Sequence, residues 1–190
     1  METADITLQV LETAQDLVQL RGYHGFSLDD IAERLGIPTA DVHAHFESKT
    51  ALGVALMGLY EESLTGILAE FAGREGGQRE KLAYYINLYR QTENNSAICA
   101  CGSLAADFTT LAGRLQDRIQ EYFENTEKWI AETIQVGLDS QEFELVGSVD
   151  EATADLLSAL QGGLILSRAR SGGSVIDSVE SVFMSRLSPA

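Results

Sequence analysis

The chain has 190 residues, 45% of them hydrophobic, and a formal net charge of −16. That length holds one sizeable core, or a small head joined to a larger body, and that charge works against non-specific attraction to nucleic acid. No apolar run approaches the roughly 20 residues of a membrane helix, and the start METADITLQV lacks a basic stretch followed by an apolar one, so neither a span nor a secretion signal is expected.

With prolines only at positions 38 and 189, the chain is permissive for helix throughout. Ile6, Val10, Leu11, Ala14, Leu17 and Val18 recur in steps of three and four, which predicts a first helix over 4–20. Gly22 and Gly25 end it. Ser27 then supplies an N-cap, with Asp30 in the capping-box position, for a short second helix carrying Leu28, Ile31, Ala32 and Leu35. Gly36-Ile37-Pro38 makes a turn, and a third short helix runs from Ala40 to His45, with Thr39 as its expected cap. Ser48 caps a long fourth helix over about 50–71. Gly73, Gly76 and Gly77 interrupt the chain, and a fifth helix follows over about 78–92. After Asn94-Asn95-Ser96 and the segment 98–104, a long helix extends over about 111–138. Residues 139–149 read as a loop, and the last helices span about 150–169 and 174–187, split by Ser171-Gly172-Gly173. No repeat and no strand is expected.

Two short helices joined by Gly36-Ile37-Pro38 match a helix-turn-helix, with Ile31, Leu35, Ile37 and Val42 packing them together. Gly25-Phe26-Ser27, Asp30-Ile31-Ala32, Leu35-Gly36-Ile37, His45-Phe46-Glu47-Ser48-Lys49 and Leu52 follow one another in an order that resembles the TetR/AcrR family. The resemblance implies an all-α fold of about nine helices. It implies a DNA-binding head over 1–49 and a larger helical body over 50–190 that dimerises and holds a small effector. It also implies a recognition helix with Thr39, Ala40, Asp41, His43, Ala44 and His45, and a phosphate contact from Lys49. His45 has a second reading, as a structural residue packed on the first helix.

Departures from the pattern lie in the same stretch. Asp41 stands where the family commonly has a threonine, and Ala44 where it commonly has a tyrosine. Residues 1–55 carry nine acids and only Arg21, Arg34 and Lys49 as bases, a net −6 for the part that would meet DNA. Two readings follow: a one-component regulator, a repressor that binds operator DNA as a dimer and is released by a mostly apolar effector, or a ligand-binding or protein-interaction module whose head has lost DNA binding.

In the body, Tyr85, Tyr89, Phe108, Leu111, Tyr122, Phe123 and Trp129 are the candidate effector contacts, with ordinary core packing as the competing account of each. Leu156, Leu160, Gly163, Leu164, Val175, Val179 and Phe183 form an apolar, small-residue stripe on the last two helices, the expected dimer interface. Cys99-Ala100-Cys101-Gly102 lacks further ligands for a metal, since the histidines lie in the head. Unbridged thiols fit a reducing cytoplasm, either as inert buried groups or as sensors. No catalytic triad, phosphate loop or metal cluster suggests an enzyme, and no cofactor is expected.

Overall fold

The computed structural model describes residues 3–72, 76–170 and 173–189, with only the backbone described for 3–5 and 67–72. Gly73, Ser171 and Gly172, expected to break the chain, lie outside the described residues. Among the described residues the chain forms nine α-helices, as expected of an all-α fold, and one short two-stranded ribbon, which the sequence reading does not expect. It divides into two compact units, Met1–Thr65 with Ala100–Tyr122, and Gly66–Cys99 with Phe123–Ala190.

The first unit opens with α1 (Thr3–Arg21), whose residues Val10, Leu11, Ala14, Leu17 and Val18 are buried at the predicted spacing. A single 3-10 turn, Tyr23–Gly25, leads to α2 (Leu28–Leu35), α3 (Thr39–His45) and α4 (Lys49–Ala72). Ser27 accepts from the Asp30 N–H, and the Asp30 carboxylate accepts from the Ser27 N–H at 2.6 Å, so the capping box is complete. At the other end Gly36 takes φ 67, ψ 31, and the Ile37 N–H reaches back to the Ala32 carbonyl at 3.1 Å. That six-to-one bond is the helix stop that a left-handed residue permits. α3 starts one residue earlier than expected. Pro38 rather than Thr39 holds the cap position, because its fixed φ of −59 already suits a helix entry.

α6 (Ala100–Ala106), a 3-10 turn over Phe108–Thr110 and the start of α7 (Gly113–Asp139) complete this unit. Ser103 donates to the Val18 carbonyl in the last turn of α1, which also accepts from the Gly22 N–H at 3.0 Å. Gly53 of α4 brings backbone against the Leu115 side chain, where a β-carbon would sit 2.9 Å from it. Ile31, Val42, Leu52, Leu56, Leu104, Leu115 and Ile119 are almost completely buried, so the two stretches of chain share one core.

The second unit contains α5 (Gln78–Asn94), the remainder of α7, α8 (Val149–Ala169) and α9 (Val175–Ser185). α5 starts on a borrowed cap: the Glu142 carboxylate accepts from the N–H groups of Gln78 and Arg79 at 2.6 and 2.9 Å. Glu93 does the same for α9, accepting from Val175 N–H at 2.8 Å and from the Ser174 hydroxyl. The predicted loop over 139–149 contains β1 (Phe143–Leu145), paired antiparallel with β2 (Leu187–Pro189), Leu145 facing Leu187. The last helix therefore stops at Ser185, short of the expected 187. Phe143 anchors this correction, since its ring is buried over Gly137, where a β-carbon would come within 2.2 Å of it. A three-residue alternation is too short to be read as a strand in the sequence.

Candidate nucleic-acid interface

α3 is amphipathic in a simple way. Val42 turns inward and, with Phe46, is buried, whereas Ala40, Asp41, His43 and Ala44 are exposed and Thr39 is half-buried. The buried pair fastens the helix, so its outer face is carried rigidly. His45 leaves that face. Its Nδ1 lies 2.9 Å from the Thr7 hydroxyl of α1, the structural one of its two readings.

Lys49 is not extended toward solvent. Its ammonium donates to the carbonyl of Phe26 and lies 4.0 Å from the centre of the Phe26 ring and 4.7 Å from that of Tyr23. Burial pushes its pKa below the ordinary lysine value, while Asp30 and Asp107 pull it back up. Tyr23, in turn, has its phenol raised by burial and eased by a hydrogen bond with Thr50. Arg34 pairs with Asp16 at 3.1 Å across two half-exposed side chains, which is worth only about 0–1 kcal/mol but occupies the guanidinium. Two of the head's three bases are thus engaged within the head, and Asp41 stands exposed in the first turn of α3.

Residues 10–56, spanning α1 to the start of α4, match the bacterial regulatory proteins of the tetR family. That segment of the chain carries the tetR-family signature. Its transcriptional-repressor relative NemR, from Escherichia coli K12, is 29% identical over 102 residues. That match covers 51% of this chain and 50% of NemR, so the chain spans about half the length of the curated relatives it matches. A TetR-family regulator from Agrobacterium tumefaciens superposes with a TM-score of 0.91 at 21% identity, over 98% of this chain and 100% of that one. One from Legionella pneumophila gives 0.84 at 25% identity over 94% and 95%. The reduced form of E. coli NemR gives 0.81 at 19% identity over the full length of both.

Beyond the matched segment, the structure brings three of the seven candidate effector residues into direct contact. Tyr85 and Tyr89 are buried on one face of α5 with their hydroxyls 3.0 Å apart, and the Trp129 ring lies 5.4 Å from that of Tyr85. Gln161 of α8 donates its amide to the Tyr89 hydroxyl at 2.9 Å. Sequence reasoning misses Gln161, because a single glutamine among the leucines of α8 carries no pattern of its own. Phe123 is half-buried in the same unit.

Phe108, Leu111 and Tyr122 belong to the first unit. Phe108 offers its carbonyl to the Gln116 amide, Leu111 is buried, and Tyr122 meets Tyr60 edge-on at 6.4 Å. Beside Tyr60, burial pushes the Glu61 carboxyl up despite the pull of Arg118, which ion-pairs with it.

Of the expected dimer residues, Leu156, Leu160, Gly163, Leu164 and Phe183 are already buried within one chain, whereas Val175 and Val179 are half-buried. Gly163 is the contact point of α8 and α9, its missing β-carbon leaving 3.0 Å to Ile176. The groove between these helices is lined by Ala159, Val175, Ser178, Val179 and Val182, and Val182 is 66% exposed. Cys99 and Cys101 are both buried, and no group of three or more metal-ligating side chains occurs among the described residues. No described helix is long and apolar enough to cross a membrane.

Proposed function

We propose that this chain is a one-component transcription regulator of the cytoplasm, a repressor that binds operator DNA as a dimer and lets go when a small, mostly apolar effector occupies its body. The observation that carries this reading is α3. A short helix held by Val42 and Phe46 presents Ala40, Asp41, His43 and Ala44 outward, inside a segment that matches the tetR family. Thr39 and His43 supply polar contacts at either end of that face, and the two alanines let the backbone come close to the groove. Residues 1–49 serve as the DNA-reading part and 50–190 as the ligand and dimer part.

The outer faces of α8 and α9, with Val175, Val179 and Val182, make the contact with a second copy. A dimer reads two half-sites about one helical turn, or roughly 34 Å, apart. An effector releases DNA only to the extent that it binds better to the form whose heads are wrongly spaced. The cluster of Tyr85, Tyr89 and Trp129 with the Gln161 amide supports an apolar effector with one or two hydrogen-bonding groups. Trp129 is the single tryptophan, so its fluorescence reports occupancy directly.

A second reading, an interaction module without an operator, draws on the net −6 of residues 1–55 and the engagement of Lys49 and Arg34 within the head. One titration separates the two. Binding to DNA from upstream of the protein's own gene is measured against salt, with random DNA of equal length as control. A regulator binds its own upstream DNA at low salt with a shallow slope, since each phosphate contact contributes about 0.9 to it. Absence of binding at low salt, in the wild type and in Asp41→Asn alike, selects the module.

A further inference from the structure

The resemblance makes Lys49 a phosphate ligand, yet its ammonium is engaged in the opposite sense. An ammonium has three N–H donors. One is taken by the Phe26 carbonyl, and the rings of Phe26 and Tyr23 cover two further directions at 4.0 and 4.7 Å. Both rings are buried, so the nest is fixed rather than a chance surface encounter. Asp30, the capping acid of α2, and Asp107 face the same charge. The side chain therefore joins three starting points: the turn after α1, the first turn of α2 and the first residue of α4. Thr50, its neighbour, secures the Tyr23 hydroxyl of the same nest.

We propose that Lys49 is a positioning residue, whose cation docks on Phe26 and Tyr23 to fix the start of α4 against the helix-turn-helix, and that operator phosphates are met by other groups. This rests on the regulator reading above, whereas the docking itself does not. A lysine that reaches a phosphate has to leave a carbonyl and two aromatic faces, whereas one that stays sets the angle at which α3 is offered. Arginine retains the charge and the preference for aromatic faces, and methionine retains the stem without the charge.

The test pairs a DNA-free measurement with a DNA-binding one. In the folded wild type, ring currents from Phe26 and Tyr23 shift the Lys49 ε-methylene protons upfield in the proton NMR spectrum, and Tyr23→Leu reduces the shift. An unshifted methylene overturns the docking. For DNA, Lys49→Met and Lys49→Arg are compared with wild type on the upstream fragment across salt, at a temperature where thermal melts show all three folded. The expected result is an affinity loss of about tenfold for Lys49→Met. Its salt slope stays that of the wild type, and Lys49→Arg recovers most of the loss. A Lys49→Met slope shallower by about 0.9, the share of a single phosphate, makes Lys49 a phosphate ligand and overturns the proposal. Unchanged affinity in folded Lys49→Met reduces Lys49 to a stabilising residue and also overturns it. If the wild type binds no DNA at low salt, the regulator reading fails and the positioning role with it, while the methylene shift still reports whether the cation is docked.

Discussion

Gly36 shows how much one residue decides. Its φ of 67 is strained for any side chain, and a β-carbon there would meet nothing within 4 Å, so the penalty of a substitution is purely backbone. Gly36→Ala is expected to lower stability by about 1 kcal/mol, and Gly36→Asn by less, in urea denaturation. Equal stability in all three would show that the left-handed turn is not kept. Asp41 concerns function instead. Exposed in the first turn of α3, it favours the helix dipole by a few tenths of a kcal/mol but repels a phosphate. Asp41→Asn should therefore tighten DNA binding, most at low salt, with a barely lower melting temperature; weaker binding would mean that the carboxylate makes a contact of its own. Both residues are legible in the sequence because their roles are local. Lys49 is only half legible: its place at the head of α4 follows from Ser48 and the pattern after it, but its partner lies 23 residues back.

At the scale of elements, the local caps are readable and the distant ones are not. Ser27 and Asp30 are three residues apart, so spacing alone announces the box. Glu93 caps α9 from more than 80 residues away and Glu142 caps α5 from more than 60 away, so only the folded chain reveals either. Burial raises the Glu93 carboxyl, but hydrogen bonds from Ser174, Ser167 and the N–H groups of Val175 and Ile176 outweigh it and hold the pKa below the ordinary value. With the folded pKa below the unfolded one, the stabilisation is full above the usual carboxylate range and fades as pH falls through the depressed value. Glu93→Ala is thus expected to cost about 1–2 kcal/mol near neutral pH. It should also flatten the acid side of the stability profile, and a profile parallel to wild type down to the acid transition would sink this account. The β1–β2 ribbon is illegible for a similar reason. Its strands are three residues long, and Leu145 finds Leu187 only after α8 and α9 have brought the chain back.

For the whole molecule, the two faces of α8 and α9 differ in burial. Leu160 is fully buried inside one chain, so Leu160→Glu should disrupt the fold itself, whereas Val182 is mostly exposed and Val182→Glu should spare it. The expected outcome is a folded Val182→Glu monomer in sedimentation, because a twofold contact doubles each introduced charge. An intact dimer would move the interface elsewhere. Apolar periodicity identifies both helices but cannot tell which of their apolar residues face the chain's own core, since a leucine stripe looks the same on either side.

The first compact unit is assembled from two separated stretches, Met1–Thr65 and Ala100–Tyr122. That bears on transplantation. A hybrid made by grafting the first 65 residues onto another regulator's body would leave behind Leu104, Leu115, Ile119 and the Ser103 hydroxyl, and so uncover the inner side of α1 and α4. The first 65 residues are not a cassette. The excised fragment 1–65 should melt without cooperativity by circular dichroism, and a working chimaera needs the second stretch to travel with it.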